Sequence, residues 1–445
     1  KLLILNDRIN ESIEFPNELK DLKLGNNYDK FVTLPSKLEN IEFGRNYNQM
    51  NKPVIGFAGL THLGLNSAVS CAFRGFNVIG FHDDQKLIDK LNQGIPHVIE
   101  PQLPELMSQC KQQLSFSADI SSLHNCDLVY IAVDVPTNDK GVSDLSSVNG
   151  IISMASSAMN KEAILVVLCQ VPPGFTRKLN WPKKQLYYQV ETLIFGRAVD
   201  RAINPERYII GCDNPAQPLP PVLDTLLKAF NCPILPMQYE SAELAKISIN
   251  MFLVASVSTS NTLAEICEHI GADWFEIIPA LRLDKRIGNY AYLTPGLGIS
   301  GGNLERDLNT ILELSDKYHT DGGVVASWIS NSKYRKNWAW QKLNEIVLTK
   351  NAEPSIGLLG LAYKENTHSI KNSPAIALLE KIKDKQVIAY DPAVGDDLGG
   401  INISRARTAV EVLEGADVLL VMTPWPEFRN IPTFEVAVKM KGKIV

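Results

Sequence analysis

No uncharged apolar run in the sequence is long enough to cross a bilayer. The longest candidate, Ile247 through Leu263, is interrupted by Ser248, Asn250, Ser256, Ser258, Thr259, Ser260 and Asn261, short of the ~18 continuous apolar residues a span needs. An excess of one charge sign is also missing. Lys and Arg number 44 against 49 Asp and Glu, a net −5 scattered along the chain, which argues against nucleic acid and against a membrane surface as partners. The seven cysteines are odd in number and contain no C-x-x-C pair, which argues against a disulfide framework and a zinc site, so no metal is expected and a reducing, cytoplasmic compartment fits. A signal-type apolar segment is absent from the start. The chain opens at Lys1 without Met and stops on Lys443-Ile444-Val445, so it is expected to be a fragment of a longer product. What is present is length: 445 residues, enough for roughly three domains.

Internal repetition organises the start. Phe15-Pro16, Leu19, Leu22, Leu24-Gly25-Asn26-Asn27-Tyr28-Asp29 recurs as Leu34-Pro35, Leu38, Ile41, Phe43-Gly44-Arg45-Asn46-Tyr47-Asn48, with an offset of 19 at every position. A more degenerate copy with Leu3, Leu5, Asn6, Ile9 and Asn10 precedes them. Alternating apolar residues closed by Gly/Asn turns suit a β-solenoid, in which each copy buries its face by stacking on the next. The pattern resembles the FNIP repeat. A Leu/Asn-rich linker is the alternative reading.

After Pro53 apolar strands alternate with longer helical stretches, the pattern of βαβ units in a parallel sheet. Val54 to Gly59, Val78 to Phe81, Asp127 to Val133 and Ala163 to Val167 read as strands of one sheet; Ile356 to Gly360, Val387 to Asp391 and Ala416 to Val421 read as strands of a second. Glu240 to Ile270 holds neither Pro nor Gly and is closed by Gly271, which predicts a long spine helix with a C-terminal stop. The fold class is α/β: two Rossmann-like doubly wound domains joined by a long central helix, with a short solenoid-like prefix.

The turn after the first strand is Gly59-Leu60-Thr61-His62-Leu63-Gly64. A dinucleotide fold needs three glycines there, for the tight bend, for backbone approach to pyrophosphate and for helix packing. Gly59 and Gly64 are in place, but Thr61 occupies the middle position. The acid expected about 20 residues on, to hold the adenosine ribose and favour NAD over NADP, is found in His82-Asp83, with the acid one place late. This imperfect motif is equally compatible with a nucleotide-free Rossmann core. In the second half, Lys364 at a strand's C-terminal end suits a phosphate or carboxylate ligand.

The remaining motifs stand in a recognisable order: Val171-Pro172-Pro173-Gly174, Ala242-Glu243-Leu244-Ala245-Lys246 with Asn250, Asp284-Lys285-Arg286-Ile287-Gly288, Pro295-Gly296-Leu297-Gly298 with Gly301-Gly302, Leu359-Gly360-Leu361-Ala362-Tyr363-Lys364, Ser373-Pro374-Ala375, Tyr390-Asp391-Pro392 and Thr423-x-Trp425. From about residue 53 to the end the chain resembles the UDP-glucose/GDP-mannose dehydrogenase family, which oxidises a nucleotide-sugar alcohol to the carboxylate in two NAD-dependent steps. The resemblance implies an NAD-binding domain over 53–236, a helical dimerisation domain over 237–345 and a nucleotide-sugar-binding domain over 350–445, behind a repeat segment over 1–50. It implies a homodimer and a UDP- or GDP-linked sugar as substrate; the repeats, outside that resemblance, are read as a candidate surface for a protein partner.

Lys246 and Asn250 are four apart on the spine helix, hence on one face, where an ammonium and an amide can converge on one oxygen; a solvated stripe is the bland alternative. The resemblance assigns them to the oxyanion and gives Asp307, acting through a water, the alcohol proton. Gly298, Gly301 and Gly302 offer mobile backbone amides that wrap a sugar or diphosphate, or else form a plain hinge. Asp284 and Arg286 are either a structural ion pair or, by the resemblance, ligands at the subunit boundary.

The departures from the family are specific. Its nucleophilic Cys, which captures the aldehyde as a thiohemiacetal, corresponds to Asn303, and an amide cannot form that adduct. The Thr of the family's Val-x-Thr-Pro loop falls on Val135, the Ser-Thr before Val-Pro-Pro-Gly on Cys169-Gln170, and the Arg before Ser-Pro-Ala on Lys371, so Val135 and Lys371 carry altered chemistry at cofactor-binding positions. Glu191 corresponds to the glutamate of thioester hydrolysis, in an altered local frame. Cys169 and Cys267 read as core thiols. Two readings follow: an NAD-linked oxidoreductase limited to the first hydride transfer, or a catalytically inactive nucleotide-sugar-binding or scaffold module.

Overall fold

The computed structural model describes residues 52–136 and 143–442, together with the backbone of three short strands in the first fifty residues. These strands are β1 (Leu2–Ile4), β2 (Asp21–Lys23) and β3 (Asn40–Glu42). They pair in parallel, Leu2 beside Asp21 and Asp21 beside Asn40. Each partner is one 19-residue repeat away, so the sequence period is also the stacking period. The turn residues of the repeat, and Lys443-Ile444-Val445, lie outside the described residues.

The chain divides into two compact units, one of residues 1–134 with 146–243, the other of 135–145 with 244–445. The first is built on an eight-stranded sheet in the order β11-β10-β9-β8-β7-β4-β5-β6. Its strands are β4 (Ile55–Ala58), β5 (Val78–Phe81), β6 (Leu114–Ser117), β7 (Leu128–Ile131), β8 (Ile164–Val167), β9 (Leu186–Gln189), β10 (Tyr208–Cys212) and β11 (Ile234–Gln238). The stretch from β4 to β9 runs parallel throughout in the doubly wound order, with the direction of winding reversing between β4 and β7. Every residue of β4, β7 and β8 is buried, as expected for strands covered by helices on both faces. In open α/β sheets ligands bind outside the carboxyl ends of the strands at such a reversal. The antiparallel pairing of β10 with β9 extends the sheet beyond the strands expected from periodicity.

The spine helix runs Tyr239–Ile270; its first five residues count with the first unit and the rest with the second. By length and composition it is apolar enough to cross a membrane. Its polar side chains are nevertheless spent on protein: Glu243 on the amides of Gly174 and Thr176, Asn250 on Asp307, Ser260 on the Tyr292 carbonyl and Asn261 on the Gly296 amide. These bonds tie the helix to other parts of the protein along its length.

The second unit continues with helices Trp274–Leu283, Asn303–Tyr318 and Gly323–Arg335. It closes with a parallel sheet in the order β14-β13-β12-β15, made of β12 (Ser355–Leu359), β13 (Gln386–Tyr390), β14 (Ser404–Arg405) and β15 (Val418–Val421). The three strands expected in this half all form.

Candidate active site

In the first unit, β4 delivers the chain into the turn at the reversal point. Gly59 sits at φ +102, a conformation side chains rarely adopt, and a Cβ there would lie 2.4 Å from Val133. A Cβ on Gly64 would lie 2.1 Å from the Gly59 carbonyl oxygen, so these two glycines make the bend and the helix-to-strand approach that a dinucleotide turn requires. Thr61 is the N-cap of helix His62–Phe73 but makes no side-chain cap bond; its hydroxyl donates instead to the Ala132 carbonyl at 3.3 Å. The turn thus fits a pyrophosphate at a helix N-terminus, with the middle position bulkier than a glycine. At the end of β5, the Asp83 carboxylate is 82% exposed beside His82, while Asp84 caps the next helix through the amides of Lys86 and Leu87.

Past β9, the Glu191 carboxylate accepts the Leu193 amide, and the Arg201 guanidinium holds the Thr192 carbonyl at 2.7 Å. Two further carboxylates in this unit were not singled out by sequence reasoning. Glu243 is fully buried and accepts the amides of Gly174 at 2.5 Å and Thr176 at 2.8 Å, clamping the Val171-Pro172-Pro173-Gly174 segment to the start of the spine helix. Burial pushes its carboxyl above the usual range, against the pull of these donors. The Glu100 carboxylate, with no exposed side-chain surface, meets His62 Nε2 at 2.6 Å. It also accepts the amides of Gly196 at 2.7 Å and Ala198 at 3.2 Å. The signal for Glu243 was its place inside a family motif; for Glu100 there was none.

The second unit gathers the residues expected to carry the chemistry. Asn250 donates from Nδ2 to Asp307 Oδ2 at 2.5 Å. Arg306 Nε lies 3.3 Å from the other oxygen of Asp307. Asp307 is 1% exposed. Burial pushes its carboxyl above the usual carboxylate range, and the Arg306 guanidinium, the Asn250 amide and the Lys246 ammonium pull it back. Lys246 and Asn250, one turn apart on the spine helix, therefore both act on one buried carboxylate, and the solvated-stripe alternative is set aside. Asn303 is the first residue of helix Asn303–Tyr318, capped by Gly302, and stands exposed one turn before Asp307. All seven cysteines are free; six are buried, and none occupies this cluster.

Several backbone amides of the glycine segment are bonded within the protein. The Gly296 amide donates to Asn261, the Ile299 amide to Ser332 Oγ at 2.7 Å and the Gly301 amide to the Lys371 carbonyl at 3.1 Å. Gly298, at φ +82, packs so closely that a Cβ would lie 2.6 Å from the Ser332 carbonyl oxygen. The glycines here serve close packing, and the segment is pinned on several sides. The Lys371 side chain lies against Gly302, and Lys364 sits 5.8 Å from the Tyr363 ring. Asp284 and Arg286 form a forked ion pair with contacts of 3.0 and 2.6 Å. With the Arg286 side chain 89% exposed, the pair is a local surface feature of the chain. Val135 heads the short segment grouped with this unit. Among the described residues no group of three or more His, Cys, Asp or Glu could hold a metal ion.

Three domains of one family match the chain in order: its NAD binding domain over residues 53–230, its central domain over 240–332 and its UDP binding domain over 357–445. The chain belongs to the UDP-glucose/GDP-mannose dehydrogenase family. The FNIP repeat matches residues 6–46, so both resemblances seen in the sequence hold, and NAD is the cofactor that the family's first domain takes. Among curated relatives, the chain is 28% identical to UDP-glucose 6-dehydrogenase of Rickettsia typhi over 413 residues, covering 88% of this chain and 94% of that one. It is 27% identical to UDP-glucose 6-dehydrogenase TuaD of Bacillus subtilis, covering 88% of each. Among solved structures, a UDP-glucose dehydrogenase from Pyrobaculum islandicum superposes with a TM-score of 0.77 at 23% identity, over 88% of this chain and 97% of that one. The UDP-D-ManNAc dehydrogenase of Pyrococcus horikoshii gives 0.76 at 25% identity, over 88% and 94%.

Proposed function

We propose that this family member is an NAD-dependent oxidoreductase acting on the CH–OH group of a UDP- or GDP-linked sugar and limited to the first hydride transfer. The observation that carries the reading is the buried Asp307 held by Asn250 and Arg306 with Lys246 in range, beside an Asn303 that cannot form a covalent adduct. In this assignment Gly59, Thr61, Gly64, His82, Asp83, Val135 and Lys371 are the residues given to NAD. NAD, when bound, supplies the hydride acceptor. The Lys246 ammonium and the Asn250 amide stabilise the developing alkoxide, and Asp307 takes the alcohol proton through a water. Gly298, Gly301, Gly302, Lys364, Asp284 and Arg286 are assigned to the nucleotide sugar. The balanced step converts a primary alcohol and NAD to an aldehyde, NADH and a proton. An aldehyde that hydrates can lose a second hydride from its gem-diol with Asn303 as hydrogen-bond partner, giving acid slowly without a thioester.

The exposed apolar side chains Phe252, Ile270, Phe275, Leu283 and Tyr290 support a homodimer built on the second unit, and the unpaired cysteines support a reducing, cytoplasmic setting. The N-terminal repeats are assigned to a protein partner. Mixing the pure protein with NAD and a panel of UDP- and GDP-sugars tests the activity: NADH must appear with one of them, and silence across the panel overturns it. Thr61 and Asn303 favour one competing reading, a catalytically inactive nucleotide-sugar-binding module. Calorimetry separates the two, because that module binds a nucleotide sugar without binding NAD.

A further inference from the structure

The cofactor turn of the first unit is tied from outside itself. Glu100 Oε1 meets His62 Nε2 at 2.6 Å and the Gly196 amide at 2.7 Å, and Oε2 accepts the Ala198 amide at 3.2 Å. Its partners lie 38, 96 and 98 residues away along the chain, so one buried carboxylate joins two segments, the helix start at His62 and the loop at Gly196 and Ala198, that are distant from it and from each other in sequence. His62 is the first residue of the helix that leaves the glycine turn. Its ring is stacked on Phe195, with centroids 4.1 Å apart and planes 29° apart. Phe195 belongs to the loop that begins at Glu191 and is held at Thr192 by Arg201. The helix start that must face the pyrophosphate and the loop carrying Glu191 therefore share one anchor.

We infer that Glu100 is a positioning residue for the cofactor site: through His62 and the amides of Gly196 and Ala198 it holds the Gly59 to Gly64 turn and the 191–198 loop in mutual register, and NAD affinity depends on that register. The need for such an anchor follows from Thr61. Without the middle glycine the backbone cannot move in toward a pyrophosphate, so the helix start has to be presented at a set place rather than adapt to the ligand. A carboxylate suits the task because it accepts from several donors at once and is acceptor-only when ionised. Glutamine at the same place accepts through one oxygen and presents an NH2 group to a donor, which breaks the tie with little change in volume.

The inference rests on the reading of this turn as the NAD site, and the test separates the two. Calorimetry with NAD and, separately, with UDP-glucose is run on the wild-type chain, Glu100→Gln, His62→Phe and the double variant. His62→Phe keeps a ring against Phe195 and removes only the bond, so it reports even if Glu100→Gln fails to fold. Each single variant is expected to weaken NAD binding about tenfold, the scale of one charge-assisted hydrogen bond. The double variant is expected to fall no further than about twofold below the weaker single, since both remove the same contact. UDP-glucose binding is expected to stay unchanged. NAD binding in the single variants within about twofold of wild type, whatever their Tm, overturns the positioning role and leaves the NAD site standing. Additive losses in the double variant overturn the shared anchor. A wild-type chain that binds no NAD overturns the cofactor reading itself and the inference with it.

Discussion

Asn303→Cys is the sharpest perturbation available, because the helix geometry determines how reactive the new thiol will be. Residue 303 opens helix Asn303–Tyr318 and is exposed, so the substitution itself costs little, within about 0.5 kcal/mol. A thiol at that position faces the positive end of the helix dipole and lies next to Gly302, against which the cationic Lys371 side chain packs. Both features favour the thiolate and lower the pKa from ~8.5 to about 7. At pH 7.5 the thiolate fraction then rises from roughly 10% to roughly 75%. Three native cysteines offer almost no competing signal: burial pushes Cys71, Cys126 and Cys169 up to about 12, and mass spectrometry resolves position 303 from the other four. The thiolate fraction of those three at pH 7.5 is on the order of 10⁻⁵ to 10⁻⁴, which leaves the new thiol favoured by a factor on the order of 10⁴.

Two measurements follow from that arithmetic. The rate of iodoacetamide labelling at position 303 as a function of pH, followed by mass spectrometry, gives the thiol pKa directly. Product analysis on the same variant counts NADH released per sugar. With Asn303 one hydride leaves per sugar in the fast phase, and a second, from the hydrated aldehyde, follows only slowly. In the Asn303→Cys variant the aldehyde is captured as a thiohemiacetal, a second hydride leaves, and hydrolysis of the thioester gives the acid, so two NADH appear. A thiol titrating at an ordinary value refutes the electrostatic reasoning. A low-pKa thiol that still yields one NADH per sugar refutes the placement of residue 303 at the reacting carbon.

Three shorter predictions test the surrounding geometry. Thr61→Gly restores the missing glycine at the cost of one hydroxyl bond to Ala132; NAD affinity measured by calorimetry should tighten several-fold while Tm changes little. Gly298→Ala places a Cβ 2.6 Å from the Ser332 carbonyl oxygen at a φ of +82; it should cost about 1–3 kcal/mol in denaturant unfolding and weaken nucleotide-sugar binding, because the whole pinned segment must shift. Asp307 has its folded pKa raised by burial, so the native state holds this proton at pH values where the unfolded chain has released it. Stability therefore declines as pH rises from the ordinary Asp value through the raised one, while the rate climbs over the same window as the base ionises. Asp307→Asn should remove that acid limb from the pH–rate profile and lower the rate about 10²- to 10⁴-fold.

The parallel strands were readable in the sequence because burial on both faces leaves unbroken apolar runs such as Ile164–Val167, and the spine helix because the thirty-one residues from Glu240 to Ile270 pass without Pro or Gly. The 19-residue repeat was readable because stacking in parallel imposes one offset on every strand, and Leu2, Asp21 and Asn40 are paired at that offset. The ties that shape the sites follow no such period. Glu100 reaches Gly196 and Ala198, and Glu243 reaches Gly174 and Thr176, across intervals of 67 to 98 residues. The ties of the glycine segment are illegible for the same reason: glycine content reports which backbone angles are allowed, whereas partners such as Asn261, Ser332 and Lys371 sit elsewhere in the chain.

Burial also changes what the surviving residues mean. Asn303 is exposed at a helix start, where most side chains are tolerated, so its departure from Cys was structurally inexpensive. Asp307 is buried against Asn250 and Arg306; losing it takes a carboxylate away from a buried guanidinium, so folding alone is a reason to keep it. The residue that discriminates between chemistry and packing is therefore Lys246, half-buried on a helix whose neighbours are mostly apolar. A methionine of similar length reproduces its stem without the ammonium. If Lys246 is retained for the oxyanion, Lys246→Met keeps Tm within a few degrees and lowers NADH production at least 10²-fold, the scale of one lost oxyanion donor. If it is retained for folding, the same substitution lowers Tm and leaves the turnover of the folded fraction intact, which would remove the main support for an active dehydrogenase.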